Sequence, residues 1–241
     1  MTSHATPGAR VRAALIGRGK MGRAIEALAA EHGVDVTAVL GRGDAVDASS
    51  LGGADVAIEF TEPGAALGNL RACAAAGCPV VVGTTGWGGA GDALRAELVA
   101  AGARALWAAN FSLGVNALLG AVGRVAAALA GAGFAPHLIE THHAAKKDAP
   151  SGTALALAEA AGLDPVREIT SVRVGAVPGT HTLLFDAPFE QVRLTHEARD
   201  RRVFASGALV AARWLAAPRP PGLYSMQDVL APAAGVLEIP S

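Results

Sequence analysis

The residues best suited to acid–base chemistry lie close together, in the stretch Thr141 to Ala154 (THHAAKKDAPSGTA). It contains a histidine pair, His142 and His143, and two of the chain's three lysines, Lys146 and Lys147. Apart from Lys20, the other Lys and Arg residues of the chain are all arginine. Arginine stays protonated in proteins, whereas a lysine in a suitable site can give up its proton. Lys146 is therefore a candidate general acid, and a neighbouring histidine can also carry a proton.

The same stretch continues into a place that could hold an anion. Ser151, Gly152 and Thr153 open a predicted helix, with Ser151 as its N-cap. The N–H groups and partial positive charge of a helix start suit a carboxylate or a phosphate. The stretch thus pairs candidate proton donors with a candidate substrate-binding site.

These residues also have simpler interpretations. Lys147 fits a solvated surface charge better than a catalyst, and Lys146 could be one as well. In a strand, His142 and His143 would point to opposite sides, so only one would face a given cleft. We expect no metal site, because the spacing of the histidines and Asp148 matches no standard ligand set.

Composition and charge exclude several classes of protein. The chain has 241 residues, is 51% hydrophobic and carries a net charge of −1, so we do not expect nucleic acid or an anionic membrane as partner. Two cysteines, Cys73 and Cys78, are too few for a disulfide framework and indicate a reducing compartment. The N-terminus lacks the apolar run of a signal peptide, and we expect a cytoplasmic protein.

Short apolar runs alternate with helical patterns through the first half of the chain. This alternation predicts an α/β, Rossmann-like domain, in which a parallel sheet is covered on both faces. Ligands of such sheets bind at the carboxyl ends of the strands, so the turns there are the places to search for a site. The predicted strands are 12–17, 35–40, 55–60, 79–83 and 104–108.

The turn after the first predicted strand reads GRGKMG and fits the GxGxxG pattern of dinucleotide-binding sites. Gly17 would permit the tight turn, Gly19 would let the backbone approach a pyrophosphate, and Gly22 would let the helix pack on the strand. Lys20 and Met21 would begin the helix whose N-terminus attracts the phosphates. The alternative is an ordinary glycine-rich turn.

The end of the second predicted strand bears on which dinucleotide would bind. An acidic residue there binds the ribose of NAD, but this chain has Gly41, with Asp44 slightly beyond. Arg42 could pair with the 2′-phosphate of NADPH, since a guanidinium matches phosphate geometry. We therefore expect NADPH or NADH with a mild preference for NADPH, unless Arg42 is only a solvated loop residue.

Two further turns at predicted strand ends could line the nicotinamide part of the site. Small residues there would present backbone N–H and C=O groups to a carboxamide, although either could equally be a plain turn. The candidate residues are Gly83, Thr84, Thr85, Ala108, Ala109, Asn110 and Phe111.

The second half of the chain changes character. After residue 112 the alternation stops, and a long helix is followed by several extended stretches. We predict a dinucleotide-binding domain over 1–112, with 216–241 packing back on it. Residues 113–215 would form a second α+β domain with an open, mixed sheet, which binds substrate and is covered by a partner subunit.

The segment from Glu140 to Ala154 (ETHHAAKKDAPSGTA) closely resembles the signature of the dihydrodipicolinate reductase family, the 4-hydroxy-tetrahydrodipicolinate reductases of diaminopimelate and lysine biosynthesis. The resemblance spans nearly the whole chain. It includes GRGKMG at 17–22, EFT at 59–61, GTTG at 83–86, AANFSLGVN at 108–116 and THEARDRRVFASGAL at 195–209.

The resemblance implies a reduction of 4-hydroxy-tetrahydrodipicolinate to tetrahydrodipicolinate by NAD(P)H. It makes His142 the proton donor or acceptor near the substrate ring and Lys146 the general acid. His143, Gly152 and Thr153 would bind substrate carboxylate. The glycine turns and 108–111 would contact the dinucleotide. Members of the family are generally homotetramers joined through the sheet of the second domain.

The chain departs from the family pattern at a few positions. Gly41 stands where many members carry an acidic residue, and Ala144 and Ala145 replace basic residues.

Two other functions are compatible with the same features. One is an oxidoreductase like aspartate dehydrogenase, and the other is a non-catalytic NADPH-binding sensor.

Overall fold

The structure is a computed structural model that describes residues 10–88 and 91–231. The chain divides into two compact units, and each is described by itself. The first unit comprises the chain up to Phe111 together with the chain from Phe204 onward. The second unit is Ser112–Val203.

The first unit is built on a six-stranded sheet whose paired strands are all parallel. Its strands are β1 (Val11–Ile16), β2 (Val34–Leu40), β3 (Val56–Glu59), β4 (Val80–Val82), β5 (Arg104–Trp107) and β10 (Gly222–Tyr224). They lie in the order β10-β5-β4-β3-β1-β2. The accompanying helices are α1 (Lys20–Ala29), α2 (Pro63–Ala75), α3 (Asp92–Ala100), α6 (Arg202–Ala216) and α7 (Met226–Leu230).

Continuous apolar runs explain why this sheet is parallel and covered on both faces. Every residue of β3 and β4 is buried, so side chains on both faces of these strands pack against helices. In β1, the run from Ala13 to Ile16 is also buried. The carboxyl ends of β1, β3 and β4 meet at one edge, which brings the glycine turn and the GTTG turn to the same side of the sheet.

The chain returns to the first unit at Phe204, earlier than the predicted boundary at residue 215. Helix α6 can pack against the first unit because Gly207 has no side chain: a Cβ at this position would lie 1.7 Å from the carbonyl oxygen of Phe111. Farther along α6, Arg213 donates a hydrogen bond of 3.0 Å to the carbonyl of His32. Strand β10 then pairs with β5, while residues 232–241 of the segment predicted to pack back lie outside the described residues.

The second unit is a four-stranded mixed sheet with two helices. Its strands β6 (Ala135–His142), β7 (Ile169–Arg173), β8 (Gly179–Ala187) and β9 (Glu190–Ala198) lie in the order β7-β6-β8-β9. Strand β7 is parallel to β6, and the other pairs are antiparallel. Helices α4 (Leu113–Leu129) and α5 (Gly152–Ala161) belong to the same unit. Its core contains Val122, Leu138, Leu157, Leu183 and Phe185.

The predicted fold class is thus confirmed: a Rossmann-like parallel sheet is accompanied by a second domain with a mixed sheet. Within residues 10–88 and 91–231, no helix has both the length and the apolar character needed to cross a membrane.

Candidate active site

The glycine turn after β1 has the close backbone contacts of a dinucleotide cradle. Gly17 has a φ of 117°, and a Cβ there would lie 2.1 Å from the carbonyl oxygen of Phe60. A Cβ at Gly22 would lie 2.0 Å from the carbonyl oxygen of Gly17. At Gly19, by contrast, a Cβ would meet no atom within 4 Å. Two glycines of the pattern are therefore required for packing, and the third leaves its backbone open to a ligand.

A cavity of about 400 Å³ lies beside this turn, at the carboxyl ends of β1, β2 and β3. Its position and the exposed backbone of the turn fit the phosphate and ribose part of a dinucleotide. The lining includes Gly17, Arg18, Gly19, Gly41, Arg42, Asp44, Thr61, Glu62 and Asn69.

Two arginines flank the ribose end of this cavity. Arg18 donates to the carbonyl of Val39 at 2.7 Å, and its side chain occupies the space beside Gly41, 3.3 Å from where a Cβ would be. Arg42 is exposed and pairs with Glu62 at 3.0 Å. The carboxylate of Asp44 turns back to accept the N–H of Gly41 at 2.7 Å, so an acidic group does reach the end of β2.

The other predicted cofactor turns are shaped by aromatic contacts. The carbonyl of Thr84 accepts hydrogen bonds from two indoles, at 2.7 Å from Trp87 and 3.1 Å from Trp107. Its hydroxyl accepts the N–H of Thr61 at 2.8 Å, so the side chain of Thr84 is engaged within the protein. Thr85 is exposed.

Around residue 110 the side chains divide between core and surface. Ala108 and Phe111 are buried, with the ring of Phe111 packed on that of Phe60 at 5.6 Å, whereas Ala109 is exposed. Asn110 is half-buried between them. Any contact of Phe111 with a cofactor would therefore be made by its backbone.

The candidate acid lies in the second unit, in the loop after β6. Lys146 Nζ contacts both carboxylate oxygens of Asp148, at 2.7 and 2.8 Å. The hydrogen bond from Lys146 lowers the pKa of Asp148. The side chain of Lys146 is 22% exposed, whereas Lys147 is an exposed surface residue. The two adjacent lysines thus differ in environment.

His142 and His143 differ in the same way. His142 ends β6 and is 7% exposed. Burial lowers the pKa of its imidazole, although the charge of Glu140 opposes this shift. His143 follows in the loop, and its Nε2 accepts a hydrogen bond of 2.7 Å from Arg201. Arg201 therefore joins the candidate carboxylate-binding residues.

Helix α5 starts next to this group. Ser151 is its N-cap and accepts the N–H of Ala154 at 3.1 Å. Ser151 is also buried, and its own N–H donates to Glu140. Its polar groups are thus engaged within the protein, while Gly152 is exposed and Thr153 half-buried at the helix start. Contact of Gly152 and Thr153 with a substrate stays a prediction.

Beneath these residues, the second unit buries a polar group that includes Glu140, His142 and His181. One ligand atom from each lies within 4.8 Å of the others, a set that could hold a divalent metal. The guanidinium of Arg173, 2.8 Å from the same carboxylate, works against a cation there. Burial and the neighbouring His142 lower the pKa of His181 to about 4, so His181 is neutral near pH 7.

Comparison with known proteins decides the family. The sequence profile "Dihydrodipicolinate reductase, N-terminus" matches residues 11–111, and "Dihydrodipicolinate reductase, C-terminus" matches residues 114–230. The chain belongs to the dihydrodipicolinate reductase family. It is thus an NAD(P)H-dependent oxidoreductase that acts on a small molecule, as the resemblance implied.

Individual proteins that are similar to this chain give the same family assignment. A 4-hydroxy-tetrahydrodipicolinate reductase of Thiobacillus denitrificans is 40% identical over 267 residues, which cover 91% of this chain and 98% of that protein. One from Xanthomonas campestris is 43% identical over 229 residues, covering 88% and 94%. The fold is also that of a dipicolinate-bound dihydrodipicolinate reductase from Paenisporosarcina sp. TG-14, with a TM-score of 0.73, 22% identity and coverage of 90% and 97%.

Sequence reasoning missed several residues that the structure places beside the candidate site. Arg18 stands inside the glycine pattern, and Arg201 lies within the family-like segment 195–209. Their positions in these motifs could have identified both arginines as candidates. Glu140 is the first residue of the signature but was given no role. His181 and Arg173 had no local signal, because only strand pairing brings them to β6.

Proposed function

We propose that this chain reduces 4-hydroxy-tetrahydrodipicolinate to tetrahydrodipicolinate, with Lys146 and His142 handling the proton. The observation that carries the proposal is the match of both family profiles, together with a part-buried lysine beside a helix start in the matched C-terminal region. When bound, NAD(P)H supplies the hydride to the substrate ring. The residues of this chain bind the substrate, orient it and supply the proton.

The substrate carboxylates are held by the cationic side of the second unit. Gly152 and Thr153 lie at the start of α5, where the helix dipole favours an anion. His143 and Arg201 form a hydrogen-bonded pair, and a guanidinium can bind a carboxylate through two parallel N–H groups. These groups fix the ring with respect to Lys146.

Lys146 is the proton donor. Its ion pair with Asp148 holds Nζ in place. The 4-hydroxyl group leaves the substrate as water, which gives a ring with a C=C bond conjugated to the imine. Addition of hydride to this ring places negative charge on it, and Lys146 Nζ neutralises that charge by donating a proton. A positioned general acid contributes about 10²–10⁴-fold to the rate. His142, which is neutral near pH 7, takes part as a proton donor or acceptor at the ring.

The two adjacent lysines provide a matched test of this role. We expect Lys146→Arg to keep most substrate affinity and to lose about 10²–10⁴-fold in kcat, because arginine does not release its proton. Lys147→Arg makes the same change at the exposed neighbour and is expected to leave kcat unchanged. Near-normal turnover by the Lys146→Arg variant would remove Lys146 from the acid role.

For the cofactor we propose a preference for NADPH. Arg42 and Arg18 place two guanidinium groups around the ribose end of the cavity, where a 2′-phosphate would lie. Arg42 can exchange its exposed pair with Glu62 for the phosphate at little cost, since exposed ion pairs contribute only about 0–1 kcal/mol. Asp44 explains why NADH would still be accepted, because its carboxylate can reach a ribose hydroxyl.

We propose a homotetramer that is joined through the sheet of the second unit. The strand β7 and its extension expose Val172 and Val174 at 37% and 52%, and the β8–β9 turn exposes Phe189 fully. A partner subunit packed on this sheet would cover these apolar side chains. Light scattering coupled to size-exclusion chromatography would give the mass of a tetramer or refute it.

We also propose that the protein works in the cytoplasm. Both cysteines are free thiols. Burial raises the pKa of Cys73 to about 12 and that of Cys78 to about 11, so neither thiol is a reactive thiolate at neutral pH. Two inert, unpaired thiols suit a reducing compartment.

A further inference from the structure

Strand register gathers five polar residues on the covered face of the second sheet. Glu140 and His142 are two positions apart on β6 and so point to the same face. Glu140 lies opposite Ser171 on β7 and opposite His181 on β8. Arg173 lies opposite His142 on β7. The group continues the layer of core residues that includes Leu138.

One carboxylate oxygen of Glu140 is fully engaged. Oε1 accepts the N–H of Ser151 at 3.0 Å, the hydroxyl of Ser171 at 2.6 Å and the guanidinium of Arg173 at 2.8 Å. Burial raises the pKa of Glu140, but these hydrogen bonds outweigh it and lower the pKa to about 2. Glu140 is thus a carboxylate with no exposed surface, held rigidly by three donors.

The second oxygen faces the imidazole that the reaction uses. Glu140 Oε2 lies 3.3 Å from His142 Nδ1 and 3.8 Å from His181 Nε2. Both atoms are buried, and neither Oε2 nor His142 Nδ1 makes a hydrogen bond among the described residues. A buried carboxylate oxygen without a donor is energetically unfavourable. A proton on His142 Nδ1 would give both atoms a partner, because a small rotation of the ring at 3.3 Å suffices to form the hydrogen bond.

A second contact limits the motion of His142. The rings of His142 and His181 meet edge to face, with centroids 5.1 Å apart and an interplanar angle of 74°. His181 is itself tied to Ser151, with Nε2 and Oγ 3.3 Å apart. The imidazole of His142 is therefore confined between the carboxylate of Glu140 at one edge and the ring of His181 beside it.

We propose that Glu140 is a positioning residue for His142. By accepting Nδ1–H, Glu140 fixes one tautomer and leaves Nε2 as the nitrogen that exchanges a proton with the substrate, as carboxylate partners do for other functional histidines. The same carboxylate anchors Ser151 at the start of α5 and so couples the proton-carrying histidine to the carboxylate-binding helix. This inference rests on the function proposed above for His142.

Glu140→Gln makes the inference testable, because the amide has only one acceptor oxygen. Three donors surround the position of Oε1, so the amide oxygen must face them. The NH₂ group then occupies the position of Oε2 and donates to His142 Nδ1. His142 is forced into the opposite tautomer, with its proton on Nε2.

The experiment compares the full-length wild type with Glu140→Gln and with Glu190→Gln, the same change at an exposed position of β9 in the same sheet. Nitrogen-15 NMR of histidine-labelled protein, above pH 6.5, reports the tautomer of His142. Steady-state kinetics and NADPH titration report function. We expect Nδ1–H in the wild type and Nε2–H in Glu140→Gln. We further expect kcat to fall by about 10–100-fold, with NADPH affinity unchanged. Glu190→Gln should match the wild type throughout.

Two results would overturn the inference. One is a wild-type His142 that carries its proton on Nε2, and the other is a Glu140→Gln protein with the tautomer and kcat of the wild type. If Glu140→Gln does not fold, the wild-type spectrum alone decides between the tautomers. A wild type that shows Nδ1–H but no turnover would refute the proposed function and leave the positioning by Glu140 intact.

Discussion

The glycine turn gives a quantitative prediction, because two of its glycines differ sharply in their surroundings. A Cβ at Gly22 would lie 2.0 Å from the carbonyl oxygen of Gly17, whereas real Cβ contacts begin near 3.0 Å. The start of α1 and the turn must therefore separate by about 1 Å in a Gly22→Ala protein. A forced shift of this kind in a packed region costs about 1–3 kcal/mol.

The same shift moves the N–H groups that would bind the pyrophosphate. Losing one hydrogen bond to a charged group costs about 1.5–3 kcal/mol, which corresponds to about 10–150-fold in affinity. We thus expect Gly22→Ala to lower both the stability of the protein and its affinity for NADPH. In thermal unfolding, the expected loss is about 2–12 °C in Tm.

Gly19→Ala is the matched control within the same turn. A Cβ there meets no protein atom within 4 Å, and Gly19 has a φ of −74°, which alanine adopts readily. We expect its stability to stay within about 1 kcal/mol of wild type, while the methyl group hinders the approach of the pyrophosphate to the backbone. Differential scanning calorimetry and NADPH titration separate the two effects. Equal Tm values for Gly22→Ala and Gly19→Ala would refute the reasoning.

Three further predictions concern the cofactor, the core and pH. Arg42→Ala should lower kcat/KM for NADPH more than for NADH; equal losses would exclude contact with a 2′-phosphate. Leu138→Ala, at a fully buried position, should lower the free energy of unfolding in urea by about 2–5 kcal/mol. The pKa of His181 is about 4 in the folded chain and 6.5 ordinarily, so the unfolded chain binds more protons between these values. Stability should thus fall by roughly 3 kcal/mol as pH drops from 6.5 to 4, and His181→Gln should flatten this dependence.

The local elements and the glycine turn could be predicted from sequence because their signals are short-range. Apolar runs at 12–17 and 79–83 match β1 and β4 to within one or two residues. The GRGKMG turn is a strand–turn–helix junction as expected. Ser151 is the N-cap of α5, since capping depends on the two or three residues that follow it.

The buried group around Glu140 could not be predicted, because it depends on strand pairing. Ser171 and His181 lie 31 and 41 positions from Glu140 along the chain, and only the register of β7 and β8 places them beside it. The return of α6 to the first unit is equally long-range, since it depends on the fit of Gly207 against Phe111. Such contacts leave no periodic pattern in the sequence.

The most direct test of the central claim is the oxidation of NADPH and NADH by the purified protein, with the substrate formed in situ from pyruvate and aspartate semialdehyde by the preceding synthase. We predict oxidation that depends on the substrate and is faster with NADPH. Aspartate with NAD(P)⁺ serves as the alternative substrate. A folded protein that binds NADPH but oxidises none in the presence of this substrate would contradict the proposed function, and turnover of aspartate would assign a different one.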